Sequence, residues 1–347
     1  MSADDPSPTV AAPPWAWRAR ILSALHGDIP HLPRFAGELG GTVVVLYHAH
    51  EVTNGWCPGG TLGEVAEFIR AAHDVGLKAI CYYDSTLVEE RFPRRQRDRW
   101  AKRDREGAPR AHQPWHLRVR RHVMCFNSPW SDHVARVAAD CARVGADGLF
   151  MDNPDHCLAG GESCFCENCR REFRRRTGGD LFEASEPERA EWMGHCYGEY
   201  MRKVRDAMRD AGDEDEPVVT CNVSGDSAIA DPHRLRPYQN VLFRETFNRP
   251  GLGGWEEDLE MDLLGQMPVW SILTELPDNP SWHLPGRAAA ELEPFLSRAL
   301  EAGVCPMVWT TIPSHDPDAP GFTGHSLLED EALAAVVARH FRGRDGA

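Results

Sequence analysis

From Thr42 onward the chain alternates between short runs of β-branched and other apolar residues and longer stretches whose apolar positions recur every three to four residues. Short apolar runs bounded by turn residues read as buried strands, and the 3.6-residue recurrence reads as amphipathic helix laid over them. The predicted strands are 42–47, 78–83, 122–126, 148–151, 218–222, 241–244, 269–274 and 306–310. Predicted helices cover 62–75, 130–144, a basic segment from about 169, then 187–211, 255–264, 287–302 and 327–341. In the first of them Val65, Phe68, Ile69 and Ala72 share a face and Gly76 supplies the stop; Ser128 and Pro129 mark the start of the second. Eight strands with helical connections predict a (β/α)8 TIM barrel, an α/β fold whose active sites stand at the C-terminal ends of the strands. An open doubly wound sheet is the weaker alternative, because no G-x-G-x-x-G follows the first predicted strand, and no organic cofactor is expected.

Composition narrows the picture. The 347 residues carry 53 Asp and Glu against 38 Lys and Arg, a net charge of −15 that repels phosphate backbones and anionic bilayers. Neither nucleic acid nor membrane is therefore an expected partner, and no apolar run is long enough to span a bilayer. Residues 1–14 are acidic and rich in Pro and Ala, which predicts a disordered tail without signal-peptide character, a cytoplasmic protein, and a single barrel domain over 15–347. Two arginine-rich segments, 91–105 and 170–176, read as solvated faces paired with nearby acids. Self-association into a homo-oligomer is left open.

The residues at the ends of the predicted strands are the candidate chemistry. They are His48 and His50, Tyr83 and Asp84, Asn127, Asp152 and Asn153, Asn222, Glu245, Glu275 and Trp309. Carboxylates for acid/base or nucleophilic work, amides and imidazoles for hydroxyl groups and an aromatic face for a pyranose together make a sugar site. Asp152 is the first catalytic candidate, with Glu245 or Glu275 as its partner, since glycoside cleavage needs two carboxyl groups flanking one bond.

Eleven cysteines are unusual for a reducing compartment, and most stand singly as small buried hydrophobes. Cys164, Cys166 and Cys169 instead fall within six residues in the connection after the fourth predicted strand, at the opening of a helix. That spacing suits three ligands of a structural Zn2+, with Cys125 or Cys157 as the fourth, and a four-thiolate site leaves no open position for catalysis.

The run from Arg120 through Cys125, Phe126, Asn127, Ser128 and Pro129, followed by Cys164-x-Cys166-x-x-Cys169-Arg170-x-x-Phe173, resembles family 42 β-galactosidases and the related hypothetical glycosyl hydrolases. The resemblance extends over about residues 40–180. It implies a glycosidase acting on a carbohydrate substrate, a structural zinc, and Cys125 as the fourth ligand. One departure is plain: the Asn-Glu acid/base pair of the β-galactosidases is replaced here by Asn153-Pro154. The segment from Asp147 to Asn153 is closer to the strand of hypothetical glycosyl hydrolases and α-fucosidase-like barrels, where the terminal Asp is the nucleophile, which implies Asp152 with Glu245 and keeps Glu275 in reserve. A metal-dependent amidohydrolase, suggested by His48-x-His50, and a non-catalytic carbohydrate- or small-molecule-binding barrel are the competing readings.

Overall fold

The computed structural model describes residues 11–47, 50–51, 59–90, 92–112, 121–153, 163–212, 216–223, 238–247, 265–274, 285–308 and 327–343. Eight parallel strands close a barrel in the order β1, β2, β3, β7, β8, β9, β10, β11, with β11 returning to β1. They are β1 (Ile21–Ala24), β2 (Val43–Leu46), β3 (Lys78–Asp84), β7 (Gly148–Asp152), β8 (Val218–Val223), β9 (Leu242–Phe247), β10 (Val269–Thr274) and β11 (Cys305–Val308). Three short strands, β4 (Leu87–Val88), β5 (Ala111–His112) and β6 (Arg121–Val123), form a separate antiparallel sheet in the order β4, β6, β5.

This arrangement confirms the barrel, adds one strand and displaces another. Ile21–Ala24, which precedes every predicted strand, is the first barrel strand, and it pairs in register with both Val43–Leu46 and Met307–Val308. The predicted strand at 122–126 lies outside the barrel, in the small sheet that β3 feeds through β4. The two changes offset each other, so Gly148–Asp152 is still the fourth barrel strand. Pro14, expected in the tail, opens a 3-10 turn, Pro14–Arg18, that buries Ala16; the Trp270 indole donates to the Ala16 carbonyl at 2.9 Å.

The helices are α1 (Leu32–Gly37), α2 (Leu62–Asp74), α3 (Arg94–Trp100), α4 (Trp130–Arg143), α5 (Glu167–Thr177), α6 (Glu186–Ala211), α7 (Pro285–Glu301) and α8 (Glu331–Arg342). Thr61 and Glu64 form a capping box on α2, and Ser185 and Glu188 form another on α6, each satisfying two otherwise orphaned amides. Helix α2 buries Val65, Phe68, Ile69 and Ala72, the face its spacing predicts, and α4 packs against α6. Gly148 opens β7 where β7 and β8 run closest: a Cβ there would stand 2.4 Å from the Val218 carbonyl oxygen and 2.7 Å from Ile80 Cδ1. No described helix is long and apolar enough to cross a membrane.

Candidate functional site

Alternation along β3 decides which of its residues enter the barrel. Tyr82 is fully buried, its ring stacked on Tyr47 at 4.5 Å and set edge-on to Phe150 at 5.8 Å, and its hydroxyl donates to Asp152 Oδ2 at 2.5 Å. Asp84 has the same parity. Tyr83 has the opposite one: its hydroxyl meets His133 Nε2 of α4 at 3.2 Å. Tyr83 is thus directed toward α4, and Tyr82, which was not among the candidate residues, is the tyrosine that meets Asp152. The signal was available in the alternation itself, because the strand runs one residue further, to Asp84, than predicted.

Asp152, 4% exposed, ends β7 and collects donors from both neighbouring strands, β3 and β8, and from the tip of its own. Oδ2 accepts from the Tyr82 hydroxyl and from Asn153 Nδ2 at 2.9 Å. Oδ1 accepts from the Asn153 backbone N–H at 2.9 Å and from Asn222 Nδ2. A carboxylate offers about four lone-pair positions, and these four bonds fill them. Asn153 holds this net together. It sits at φ 55°, a left-handed conformation that Asn tolerates better than most side chains. Its backbone N–H also donates to Asn222 Oδ1 at 3.0 Å, and its side-chain amide also donates to Asp84 Oδ2 at 2.9 Å. Asp84 Oδ1 in turn accepts the Thr86 and Leu87 amides at 3.1 and 2.7 Å, fixing the turn from β3 into β4. Asp84, Asp152, Asn153 and Asn222 therefore form one buried polar net at the C-terminal end of the barrel, where a (β/α)8 fold carries its chemistry.

The other predicted residues fall elsewhere. His50 lies against α4, with Nε2 3.9 Å from Asp140 and 3.8 Å from Glu51, whose carboxylate is bound by Arg136 at 2.5 Å. His50 therefore stands against the helical layer, next to Glu51 at φ 54°. Asn127 follows β6 of the small sheet and not a barrel strand; its side-chain amide donates to Cys169 Sγ at 3.3 Å and Cys196 Sγ at 3.0 Å. Glu245 belongs to β9 by its backbone, while its side chain, like His48, Glu275, Trp309 and Cys157, lies outside the described residues.

Cys125, Cys164, Cys166 and Cys169 converge, with all four sulfurs within 4.8 Å of one another. Cys125 follows β6, Cys166 caps the N-terminus of α5 and Cys169 lies in its first turn. Cys125 Sγ stands 3.4 Å from Cys169 Sγ and 3.6 Å from Cys166 Sγ. Tetrahedral coordination with metal–sulfur bonds of about 2.3 Å requires sulfur separations of about 3.8 Å, so the cluster can close on one ion with small adjustment. The Arg103 backbone N–H on Cys164 Sγ at 3.4 Å and the Asn127 amide on Cys169 supply the N–H···S contacts that thiolates favour. Without a cation the crowding is costly: hydrogen bonds from Cys125 and the other two thiols pull Cys166 far below the usual thiol range, while contacts with Cys164, Cys166 and Cys169 push Cys125 far above it.

Residues 19–153 match the family described as hypothetical glycosyl hydrolase 6. A comparison with curated proteins gives no match. Among solved structures the chain is similar to a β-galactosidase from the Antarctic haloarchaeon Halorubrum lacusprofundi, with a TM-score of 0.67 and 15% identity over 94% of this chain and 59% of that one. It is also similar to the β-galactosidase from Bacillus circulans sp. alkalophilus, with a TM-score of 0.64 and 11% identity over 94% of this chain and 56% of that one. A third match is the β-galactosidase of the psychrophilic Marinomonas ef1, at TM-score 0.61, 12% identity, and 93% and 58% coverage. The chain thus spans less than three fifths of the length of these β-galactosidases, and at such identities the likeness is one of fold.

Proposed function

We propose that the protein is a glycoside hydrolase that cleaves a glycosidic bond at the C-terminal mouth of the barrel, with Asp152 as one member of the carboxylate pair and Glu245 as the other. The observation that carries this reading is the buried Asp152 carboxylate at the tip of the fourth barrel strand, held by Tyr82, Asn153 and Asn222. Fixed donors of this kind orient a carboxylate and exclude water from it, which is what a preorganised nucleophile requires. The four described donors fill its lone-pair positions at rest, so attack on an anomeric carbon requires one donor to yield; the Tyr82 hydroxyl, whose proton can swing about the C–O bond, is the donor suited to do so.

Strand register supports Glu245 as the partner. Met151 is level with Cys221 and Asn222 with Phe243, which puts Glu245 two residues beyond the level of Asp152 and two strands away. At about 4.8 Å between strands and about 3.3 Å per residue, the two backbones are roughly 12 Å apart, a span across which two carboxyl groups can flank one sugar linkage. Glu275, one residue past β10, is the alternative partner. Asp84, Asn153 and Asn222, with His48 and Trp309 at neighbouring strand ends, are the candidate hydroxyl and ring contacts. The four-cysteine cluster is proposed to hold zinc in a structural role, since four sulfur ligands suit zinc and leave no vacancy for water.

A panel of 4-nitrophenyl glycosides tests the activity, and Asp152→Gly with added azide tests the role. A nucleophile removed in this way is replaced by the small anion, restoring turnover as a glycosyl azide. Wild-type protein inert toward the whole panel would sink the enzymatic reading in favour of a binding barrel. Turnover lost in the variant and untouched by azide would remove Asp152 from the nucleophile's role.

A further inference from the structure

The two arginine-rich segments meet. Phe165 and Phe182 stack at 5.1 Å; the Arg105 guanidinium lies 5.3 Å from the first ring and 5.8 Å from the second, and that of Arg170 lies 4.8 Å from Phe182. This joint brings both segments to one cleft of about 1150 Å³ outside the barrel, walled by α5 and α6 beside the cysteine cluster.

Several cations at this cleft are neutralised locally: Arg175 pairs with Glu172 at 2.6 Å, Arg202 with Glu199 at 2.5 Å, and Lys203 with Asp132. Arg99, Arg103, Arg171 and Arg176 line it too, and none has an ion-pair partner among the described residues. Arg103 donates to the Gly107 carbonyl at 3.1 Å and to that of Asp98, and Arg171 donates to Asn168 Oδ1 at 3.0 Å. Trp192, 5% exposed, lines the same cleft, and its buried indole N–H has no acceptor among the described residues. His195 in the α6 wall reports the local field: burial first, then Arg176, Arg175 and Arg202, hold it below the usual histidine value against the opposing pull of Glu199. The lining also holds Glu167 and Asp206, so seven Lys and Arg side chains stand against five carboxylates, and Arg99, Arg103, Arg171 and Arg176 lie beyond ion-pair distance of any described carboxylate. Their mutual repulsion is relieved by an anion, and planar guanidinium forks match carboxylates and sulfate esters.

We propose that this cleft is an accessory binding site for an anionic oligosaccharide, one bearing uronate carboxylates or sulfate esters, separate from the mouth of the barrel. At about 1150 Å³ the cleft is somewhat larger than a typical single-ligand pocket and suits an oligosaccharide of a few residues, and Asn127 and Asn168 in its lining suit a ligand that carries hydroxyl groups as well as charges. That the anion is borne on a sugar rests on the glycosidase reading; that the cleft takes an anion does not.

Calorimetric titration of the full chain with trigalacturonate, a sulfated trisaccharide, neutral galactotriose and sodium sulfate tests the proposal at low and high salt. At least one charged trisaccharide is expected to bind, more weakly at high salt, with the carboxylate and sulfate arms identifying which group is read. In the double variant Arg99→Gln/Arg176→Gln, which removes two exposed side chains without hydrogen-bonded partners, its affinity is expected to fall at least tenfold with metal content unchanged. Equal binding of galactotriose, an affinity unmoved in the double variant, or no binding of either charged trisaccharide at low salt would overturn the site. Free sulfate binding as tightly as the trisaccharides would overturn the sugar. Turnover of neutral aryl glycosides is expected to be the same in the variant, so failure of the glycosidase reading registers separately.

Discussion

Replacing Asp152 by Asn is nearly isosteric, yet the structure predicts that it unfolds more readily as well as losing activity. Each carboxylate oxygen faces two donors: the Tyr82 hydroxyl and Asn153 Nδ2 on one side, the Asn153 N–H and Asn222 Nδ2 on the other. An amide at 152 must turn its own NH2 toward one of these pairs. Turned toward Tyr82, it can donate to a rotated hydroxyl, but Asn153 Nδ2 then loses its acceptor on that side. Four bonds to a charged group, worth about 1.5 kcal/mol or more each, give way to at most three neutral ones of about 1 kcal/mol. The loss is at least about 3 kcal/mol, which at roughly 1.4 °C per kcal/mol for a chain of this length lowers Tm by about 4 °C or more. Differential scanning calorimetry of wild type, Asp152→Asn and Asn222→Ala reads this directly. An Asp152→Asn protein with unchanged Tm would refute the reasoning, because the four donors would then not be addressing a charged group. Turnover assays on this variant should be run well below its own transition, so that lost chemistry is not confused with lost fold.

Purified protein is expected to carry one zinc per chain by elemental analysis, and Cys125→Ser or Cys166→Ala to lose both the metal and several degrees of Tm; zinc retained in both variants would exclude the cluster as the site. Cys157→Ala is expected to change neither. Gly148→Ala drives a Cβ against the Val218 carbonyl and Ile80, and should cost about 1–3 kcal/mol or leave the protein insoluble, whereas a stable variant would mean that β7 and β8 can separate cheaply. His133, largely buried, accepts from Arg136 at Nδ1 and meets Tyr83 at Nε2, and burial foremost lowers its pKa from 6.5 to about 4. The unfolded chain then binds this proton before the folded one does, so stability is full above pH 6.5 and is lost as pH falls through the window down to about 4. His133→Gln should flatten the dependence of Tm on pH in that window; an unchanged slope would contradict it.

Much of the scaffold was legible from periodicity, and the exceptions have local causes. Ile21–Ala24 is only four residues long and carries Ser23, so its apolar signal is too short to separate from the Trp-rich and Arg-rich stretch before it. The segment 122–126 has the composition of a barrel strand, but composition records burial and not which sheet does the burying. Asp152, Asn153 and Asn222 could be nominated because each ends a strand with unmistakable runs of apolar residues. Tyr82 shares its parity with Asp84, a named candidate, so the alternation points to it, but ending β3 one residue early draws attention to Tyr83 instead. Cys125 needed more than local spacing, as it joins its partners from 39 or more residues away, with Cys164 the nearest. His50 and Asn127 meet helix α4 and the cysteine cluster for one reason: standing after an apolar run does not fix the direction in which the chain then turns.

The Ser85 carbonyl accepts both the Trp130 indole N–H at 2.7 Å and the Tyr200 hydroxyl at 3.0 Å, and the Ser85 amide donates to the Asp152 carbonyl at 2.7 Å. In most barrels of this class the strand-to-helix loops are interchangeable cassettes, and new specificities are made by exchanging one for another. Here the β3 tip is tied to α4 and α6, two helices that belong to later units of the barrel. A transplanted loop at this position would have to bring its own acceptor for two buried donors, or the recipient helices would have to be redesigned with it. Library design on this scaffold is therefore better begun at Trp130 and Tyr200 than at the loop they hold.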